Sequence, residues 1–285
     1  LSRNKDRMGG PKNKNTETPP VNAMQNNSEG FSFVVPTEFV DLPSQGRFYP
    51  EGHPLHGETC IEIRQMTAKE EDLLTSKTLL KRGVALDRVI QNIIVDKRVD
   101  PDLILVGDRN AIIISARVTG YGSEYNTKIT CPSCGASQRY SFNLNEVKIS
   151  DKDELEEWGI VDNQDGTFAL TLPKTQVDVV FKLLIGRDEK SFTNTSNAER
   201  KKRFEDKAVT THLSKILVSV NGDDSSQARQ YLINNLPSID SRHLRMAHRI
   251  ATPNVDMTQH FACSECDHGQ PLEVPLTADF FWPDR

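Results

Sequence analysis

Cys131-Pro-Ser-Cys134-Gly135 and Cys263-Ser-Glu-Cys266-Asp-His-Gly269 are the stretches on which the reading of this chain turns. Each holds a C-x-x-C pair with a glycine close behind. That is the form of a zinc knuckle, in which a tight turn aims two thiolates at one metal. Two knuckles supply four sulfurs, from Cys131, Cys134, Cys263 and Cys266, enough to close a tetrahedral site with no open position. The expected cofactor is therefore a structural zinc rather than a catalytic one. Period-two patterning flanks both pairs. Val118 to Thr130 leads into the first and Arg139 to Leu144 leaves it, while Val255 to Ala262 and Leu272 to Leu276 bracket the second. The expectation is two strand–knuckle–strand hairpins sharing one metal, a zinc ribbon split by a long insertion. Loop closure opposes such a split only logarithmically, by about 0.6 kcal/mol per doubling of length. A structural zinc contributes about 10 kcal/mol or more. Redox dithiols or disulfides are the competing reading, but a thioredoxin-like site needs a strand-to-helix context, and neither pair has a convincing following helix.

The chain has 285 residues, 36% of them hydrophobic and 26% charged, with a net charge of −5. The first thirty residues carry five basic and three acidic side chains, which leaves the remainder near −7. A body that acidic is a poor general phosphate binder, so nucleic acid is not the expected partner. No apolar run approaches the roughly 20 residues needed to cross a bilayer, so no membrane partner is expected. Leu1 to Gly10 lacks the apolar core of a secretory signal. Paired thiols in that setting suit a reducing, cytosolic compartment.

The fold class expected is α+β: a helical N-terminal half, the split ribbon, and a mostly helical insertion. Residues 1–31 are too poor in aliphatic side chains to offset their ordering entropy and should form a disordered tail. Residues 32–66 read as a strand and loop arm. In it Leu42-Pro-Ser-Gln-Gly-Arg-Phe-Tyr-Pro50-Glu-Gly-His-Pro54 is too rich in proline and glycine for a regular element. It should lie extended, with Leu42, Phe48 and Tyr49 as anchors. Residues 67–117 form a helical domain. Thr67-Ala-Lys-Glu70 is a capping box opening a helix that runs to about Gly83. Leu86, Val89, Ile90, Ile93 and Ile94 make one apolar stripe. Asp100-Pro101 should start a third, short helix, and Asp108 should cap a fourth carrying Ile112 to Ile114. Residues 118–148 together with 253–278 are the ribbon. Residues 149–252 form the insertion, with strands at Thr167 to Leu172 and Gln176 to Leu184. Its helices run from near Ala198 through Leu217, from Asp223 to Leu236, and from Ser238 to near Ile250. Residues 279–285 end the chain in an aromatic tail, Phe280-Phe281-Trp282-Pro283.

Other candidate sites read blandly. His268 could replace one thiolate, but four cysteines already suffice. His53, His56 and Cys60 raise the thought of a second metal, yet their spacing is irregular, and Cys60 reads as a small buried hydrophobe. Arg200-Lys-Lys-Arg203 looks like a nucleic-acid patch, but Glu199, Glu205 and Asp206 beside it make a solvated helix face the simpler reading. The chain has no phosphate loop, no G-x-S-x-G and no H-E-x-x-H, so no enzyme is expected.

Taken in order, Leu42-Pro-Ser-x-Gly-x-Phe-Tyr-Pro50, Met66-Thr-Ala-Lys-Glu-Glu-Asp72, Gly107-Asp-Arg-Asn-Ala111, the two knuckles and Pro275-Leu-x-x-x-Phe280-Phe-Trp-Pro283 carry a family likeness. The chain resembles the baseplate (hub) protein family of T-even-like contractile-tailed bacteriophages, from about residue 34 to the C-terminus. The resemblance implies a non-enzymatic structural subunit of the tail baseplate, found in the virion and, during assembly, in the host cytoplasm. It implies hub, wedge and tail-tube proteins as partners, and Cys131, Cys134, Cys263 and Cys266 as the metal ligands. A hub assembly factor absent from the mature virion fits the same resemblance. A zinc-ribbon adaptor for nucleic acid is the reading from a different class.

Overall fold

Between strands Thr37–Asp41 and Cys60–Arg64, which pair antiparallel with Phe39 opposite Glu62, the chain makes a run of turns rather than a straight excursion. The computed structural model describes residues 24–25, 34–146, 148–149, 154–191, 208–274 and 278–281. The expected tail at 1–31 falls almost wholly outside them, as do Arg200–Arg203, Pro275, Trp282 and Pro283. The architecture is α+β, as expected. In the turns, Leu42, Phe48, Tyr49 and Leu55 are all buried. They anchor the arm on the chain's own core, not on a neighbour. Polar groups fix the arm as well. The Ser44 N–H and hydroxyl donate to the Asp108 carboxylate at 2.9 and 2.6 Å, and the Tyr49 hydroxyl donates to it at 2.7 Å. Burial first, and the Asp108 charge second, push the Tyr49 hydroxyl well above the usual phenol range, so it stays protonated and donates.

Helix Ala68–Thr75 opens as its capping box dictates. The Glu70 carboxylate accepts the Thr67 N–H at 3.0 Å and the Thr67 hydroxyl at 2.8 Å. It also takes a two-pronged bond from Arg64, at 2.7 and 3.0 Å. The helix stops short of Gly83 because Ser76 is extended (φ −66°, ψ 106°), and a second helix, Lys77–Arg82, then ends on Gly83 in the left-handed region. Helix Ala85–Ile93 buries Val89, Ile90 and Ile93, the apolar stripe read from the sequence. Asp100-Pro101 makes turns instead of a helix. The Asp100 side chain accepts the Asp102 N–H at 3.0 Å, which offers the backbone an alternative to a helical turn.

Helix Val106–Tyr121 starts earlier than expected, with Leu105 as its N-cap. Asp108 lies inside its first turn and spends its carboxylate on Ser44 and Tyr49 instead of capping. Every residue of Gly107-Asp-Arg-Asn-Ala111 is tied to something else. A Cβ on Gly107 would sit 1.8 Å from the Pro253 carbonyl oxygen, where the chain returns from the insertion. The Arg109 guanidinium contacts Asp87 at 2.8 Å and Glu189 at 3.4 Å and donates to the Pro101 carbonyl at 3.2 Å. Asn110 donates to Asn254 at 3.1 Å, and Ala111 is buried.

At the other end of this helix, Arg117 is fully buried. It donates to three carbonyls, of Phe280 (2.6 Å), Gly122 (2.5 Å) and Glu124 (3.0 Å). These carbonyls belong to the C-terminal turn Ala278–Phe281, the helix end and the strand Glu124–Thr130. Phe280 and Phe281 are buried beside it, so this part of the aromatic tail plugs the chain's own core.

The insertion contains a four-stranded antiparallel sheet, ordered Leu217–Val220, Asp178–Lys182, Thr167–Thr171, Val161–Asp162. The sequence showed only the middle two of these strands. Leu217, expected to continue a helix, instead begins a strand: helix Ala208–Ile216 ends one residue before it, and Leu217 pairs with Phe181. Alternating Leu217-Val-Ser-Val220 suits that pleat. Helix Ser226–Asn235 starts three residues later than the expected Asp223, Ser238–Ala251 follows as expected, and the helix start expected near Ala198 lies outside the described residues. The buried side chains of insertion, helical half and hairpins form one continuous cluster. Backbone bonds stitch it: Val106 N–H to Leu184 at 3.0 Å and Gly186 N–H to Ile104 at 2.9 Å.

Two outcomes test this account. In an open helix, Gly→Ala would stabilise by about 1 kcal/mol; Gly107→Ala is expected to destabilise by about 3 kcal/mol through the Pro253 clash, read as a fall in urea midpoint. Glu70, which burial alone would raise, is held down to about 2 by Arg64 and Thr67, against an ordinary 4.5. A depressed folded-state pKa stabilises above the unfolded value and is lost as pH falls through the folded one. Stability should therefore drop between pH 4.5 and about 2, and Glu70→Gln should flatten that limb in urea titrations.

Candidate metal centre

Strand Glu124–Thr130 pairs with Ser137–Asn143, and strand Thr258–Ala262 pairs with Gly269–Glu273. The first hairpin begins later than expected, because Val118–Tyr121 is still helix and Gly122 turns the chain. The two tips, residues 131–136 and 263–268, close identically: the Cys131 N–H donates to the Ala136 carbonyl at 2.8 Å, and Cys263 to His268 at 2.9 Å. Each tip needs one left-handed residue. In the first it is Gly135 (φ +73°); in the second it is Asp267 (φ +54°). Gly269, expected to serve the second turn, already lies in the strand. Asp is among the few side chains that enter this region readily.

The tips bring four sulfurs together. Cys131, Cys134, Cys263 and Cys266 present Sγ atoms all within 4.8 Å of one another. Cys131 lies 3.8 Å from Cys266 and Cys134 lies 3.8 Å from Cys263, each pair spanning the two hairpins. A disulfide would bring sulfurs to about 2.05 Å, whereas ligands of a tetrahedral zinc at about 2.3 Å stand about 3.8 Å apart. Cys131 and Cys263 are buried; Cys134 and Cys266 are exposed. The Cys134 N–H leads the contacts that pull the Cys131 thiol down to about 6. At Cys134 the Ala136 N–H acts in the same sense, but the surrounding sulfurs, Cys266 foremost, push the thiol up to about 12. Four sulfurs this close cannot all carry charge unless a cation shares it, and an all-thiolate set suits zinc.

The other candidates lie elsewhere. Cys60 is half-buried in its strand. The His53 ring stacks on Tyr49 at 4.5 Å, and His56 Nδ1 lies 2.7 Å from the Tyr49 carbonyl, so both serve the arm. His268 faces Gln270 at 3.2 Å and is outside the sulfur cluster.

The family model described as T4 bacteriophage base plate protein matches residues 36–282. The chain belongs to this phage baseplate family. No curated protein and no solved structure matches it. The baseplate family match takes in both knuckles, the arm and the Gly107–Ala111 junction.

Among the described residues of this baseplate protein the two hairpins share no ladder with one another; two glutamines take its place, which the sequence reading missed. Gln138 Nε2 donates to the Ala262 carbonyl at 3.0 Å, and its Oε1 accepts the Ser264 N–H at 2.9 Å. Gln259 mirrors it, donating to the Asn143 carbonyl at 2.7 Å and accepting the Asn143 N–H at 3.1 Å. Each side-chain amide thus stands in for one peptide unit. The Tyr140 hydroxyl adds a bond to the His260 carbonyl at 2.7 Å. At the base, Val255–Asp256 pairs with Lys148–Ile149. Gln138→Ala should destabilise by about 1–2 kcal/mol in urea unfolding. Gln138→Glu should restore little, because a carboxylate cannot donate to Ala262.

Proposed function

We propose that this protein is a structural subunit of a contractile-tail baseplate that holds neighbouring tail proteins together by protein–protein contacts and performs no catalysis. Its partners are hub, wedge and tail-tube proteins; its place is the virion tail, reached through assembly in the host cytoplasm. A zinc bound by Cys131, Cys134, Cys263 and Cys266 stabilises the fold, making the hairpins a zinc ribbon. The carrying observation is the baseplate family match across residues 36–282. The sulfur spacing supports the zinc, because it leaves a tetrahedral ion no open position for a substrate. When bound, the ion supplies a crosslink and charge neutralisation. Among the described residues no helix is long and apolar enough to cross a membrane.

Mass spectrometry of purified tails tests the location. A fixed copy number per particle is the expected result; presence only in assembly intermediates would mean an assembly factor instead. Chelation tests the metal. Metal analysis should find one zinc per chain, and its removal, or Cys131→Ser, should lower the melting temperature and open the hairpin tips. Zinc removal without a fall in melting temperature would refute the structural role.

A further inference from the structure

The insertion carries a local charge pattern opposite to that of the chain, whose net charge is −5. Helix Ser238–Ala251 buries Leu244, Ala247 and Ala251 and exposes Arg242, Arg245 and Arg249. Their i, i+3, i+7 spacing sets the three arginines on one face. Among the described residues only Arg249 has a carboxylate within reach, Glu273 at 3.9 Å, and both side chains are more than 70% exposed. Such a pair contributes little. Beside the stripe lies a groove of about 290 Å³ lined by Val209, Leu213, Ile233 and Leu236, with Arg245 on its rim. Val209 is 43% exposed, and Ile239, next to the lining residue Ser238, is 60% exposed. The apolar surface therefore continues out to solvent alongside the arginines.

We propose that this face docks an acidic amphipathic helix of a neighbouring protein, its aliphatic ridge in the groove and its carboxylates on Arg242, Arg245 and Arg249. Charge complementarity selects the partner: three cations that are largely unpaired among the described residues favour an anionic surface and disfavour a basic one. The lining selects its shape. Aliphatic side chains at i, i+3 and i+4 fill such a groove, whereas a nucleic-acid strand needs aromatic platforms beside its cations, and the groove lining has none. The inference rests on reading the chain as a subunit held by protein contacts. Peptide binding in solution is independent of incorporation into tails, so the two can fail separately.

The test uses the full chain and fluorescence anisotropy with three labelled probes. These are a synthetic helix with leucine along one face and glutamate elsewhere, the same helix with lysine for glutamate, and a single-stranded DNA oligonucleotide. The acidic helix should bind at least about ten-fold more tightly than the basic one, and more weakly as salt rises. Arg242→Glu with Arg245→Glu, and separately Ile239→Asp, should each weaken it by about ten-fold while leaving the melting temperature unchanged, since all three positions are exposed. Equal affinity for both helices, or no loss in the variants, overturns the proposal. So does tighter binding of the oligonucleotide, which would make the stripe a phosphate surface. Sedimentation showing a dimer that Ile239→Asp dissolves would assign the face to a second copy and overturn it equally.

Discussion

The first turn of helix Val106–Tyr121 is where the separate segments of the molecule are held in register. Gly107 admits the returning backbone at Pro253, Asp108 gathers the arm through Ser44 and Tyr49, Arg109 joins Asp87, Pro101 and Glu189, and Asn110 meets Asn254. The Asp108 carboxylate is fully buried. Its donors from the arm are neutral, and the helix N-terminus adds a partial positive charge. A buried anion held this way is costly to disturb, because losing one donor exposes the full desolvation penalty of the charge. The same helix delivers Arg117 at its far end, where another buried charge is satisfied by carbonyls of three segments. One rigid element thus sets the distance between the arm junction and the start of the sulfur-bearing hairpins.

Much of this was legible in the sequence, for identifiable reasons. The knuckles were legible because thiolate spacing is a strong local constraint, and the four cysteines do converge. The Thr67–Glu70 capping box and the stripe through Ile93 were legible because their partners lie within a turn or two. The failures share a cause. Asp108 looked like a cap because its partners, Ser44 and Tyr49, lie far off in sequence. Leu217 looked like the end of a helix because its β partner, Phe181, lies on another strand. Asp267 was overlooked because Gly269 offered the commoner residue for a left-handed turn. Gln138 and Gln259 carried no signal, since a polar side chain on a strand reads as a solvated face until the opposing hairpin is in place.

The hairpins also show how two small sheets can be joined without merging. A continuous ladder would demand matched twist and register across both hairpins. Side-chain amides tolerate more variation, because χ angles adjust where backbone cannot. The Tyr140–Phe142–Phe261 ring cluster, with centroids 5.0 and 5.2 Å from Tyr140, fills the space beneath them. The sulfurs then need to fix only the tips.

The paired tips have a mechanical consequence. Residue 131 and residue 266 lie side by side although the whole insertion separates them along the chain. With a dication bridging them, a pull between the N-terminal half and the C-terminal turn runs across the metal–thiolate bonds and bypasses residues 135–262. The insertion would then be a closed loop off the line of force. It would stay folded under a load that strains the rest, and its exposed face could keep hold of a neighbour while the body to which it is attached is under tension.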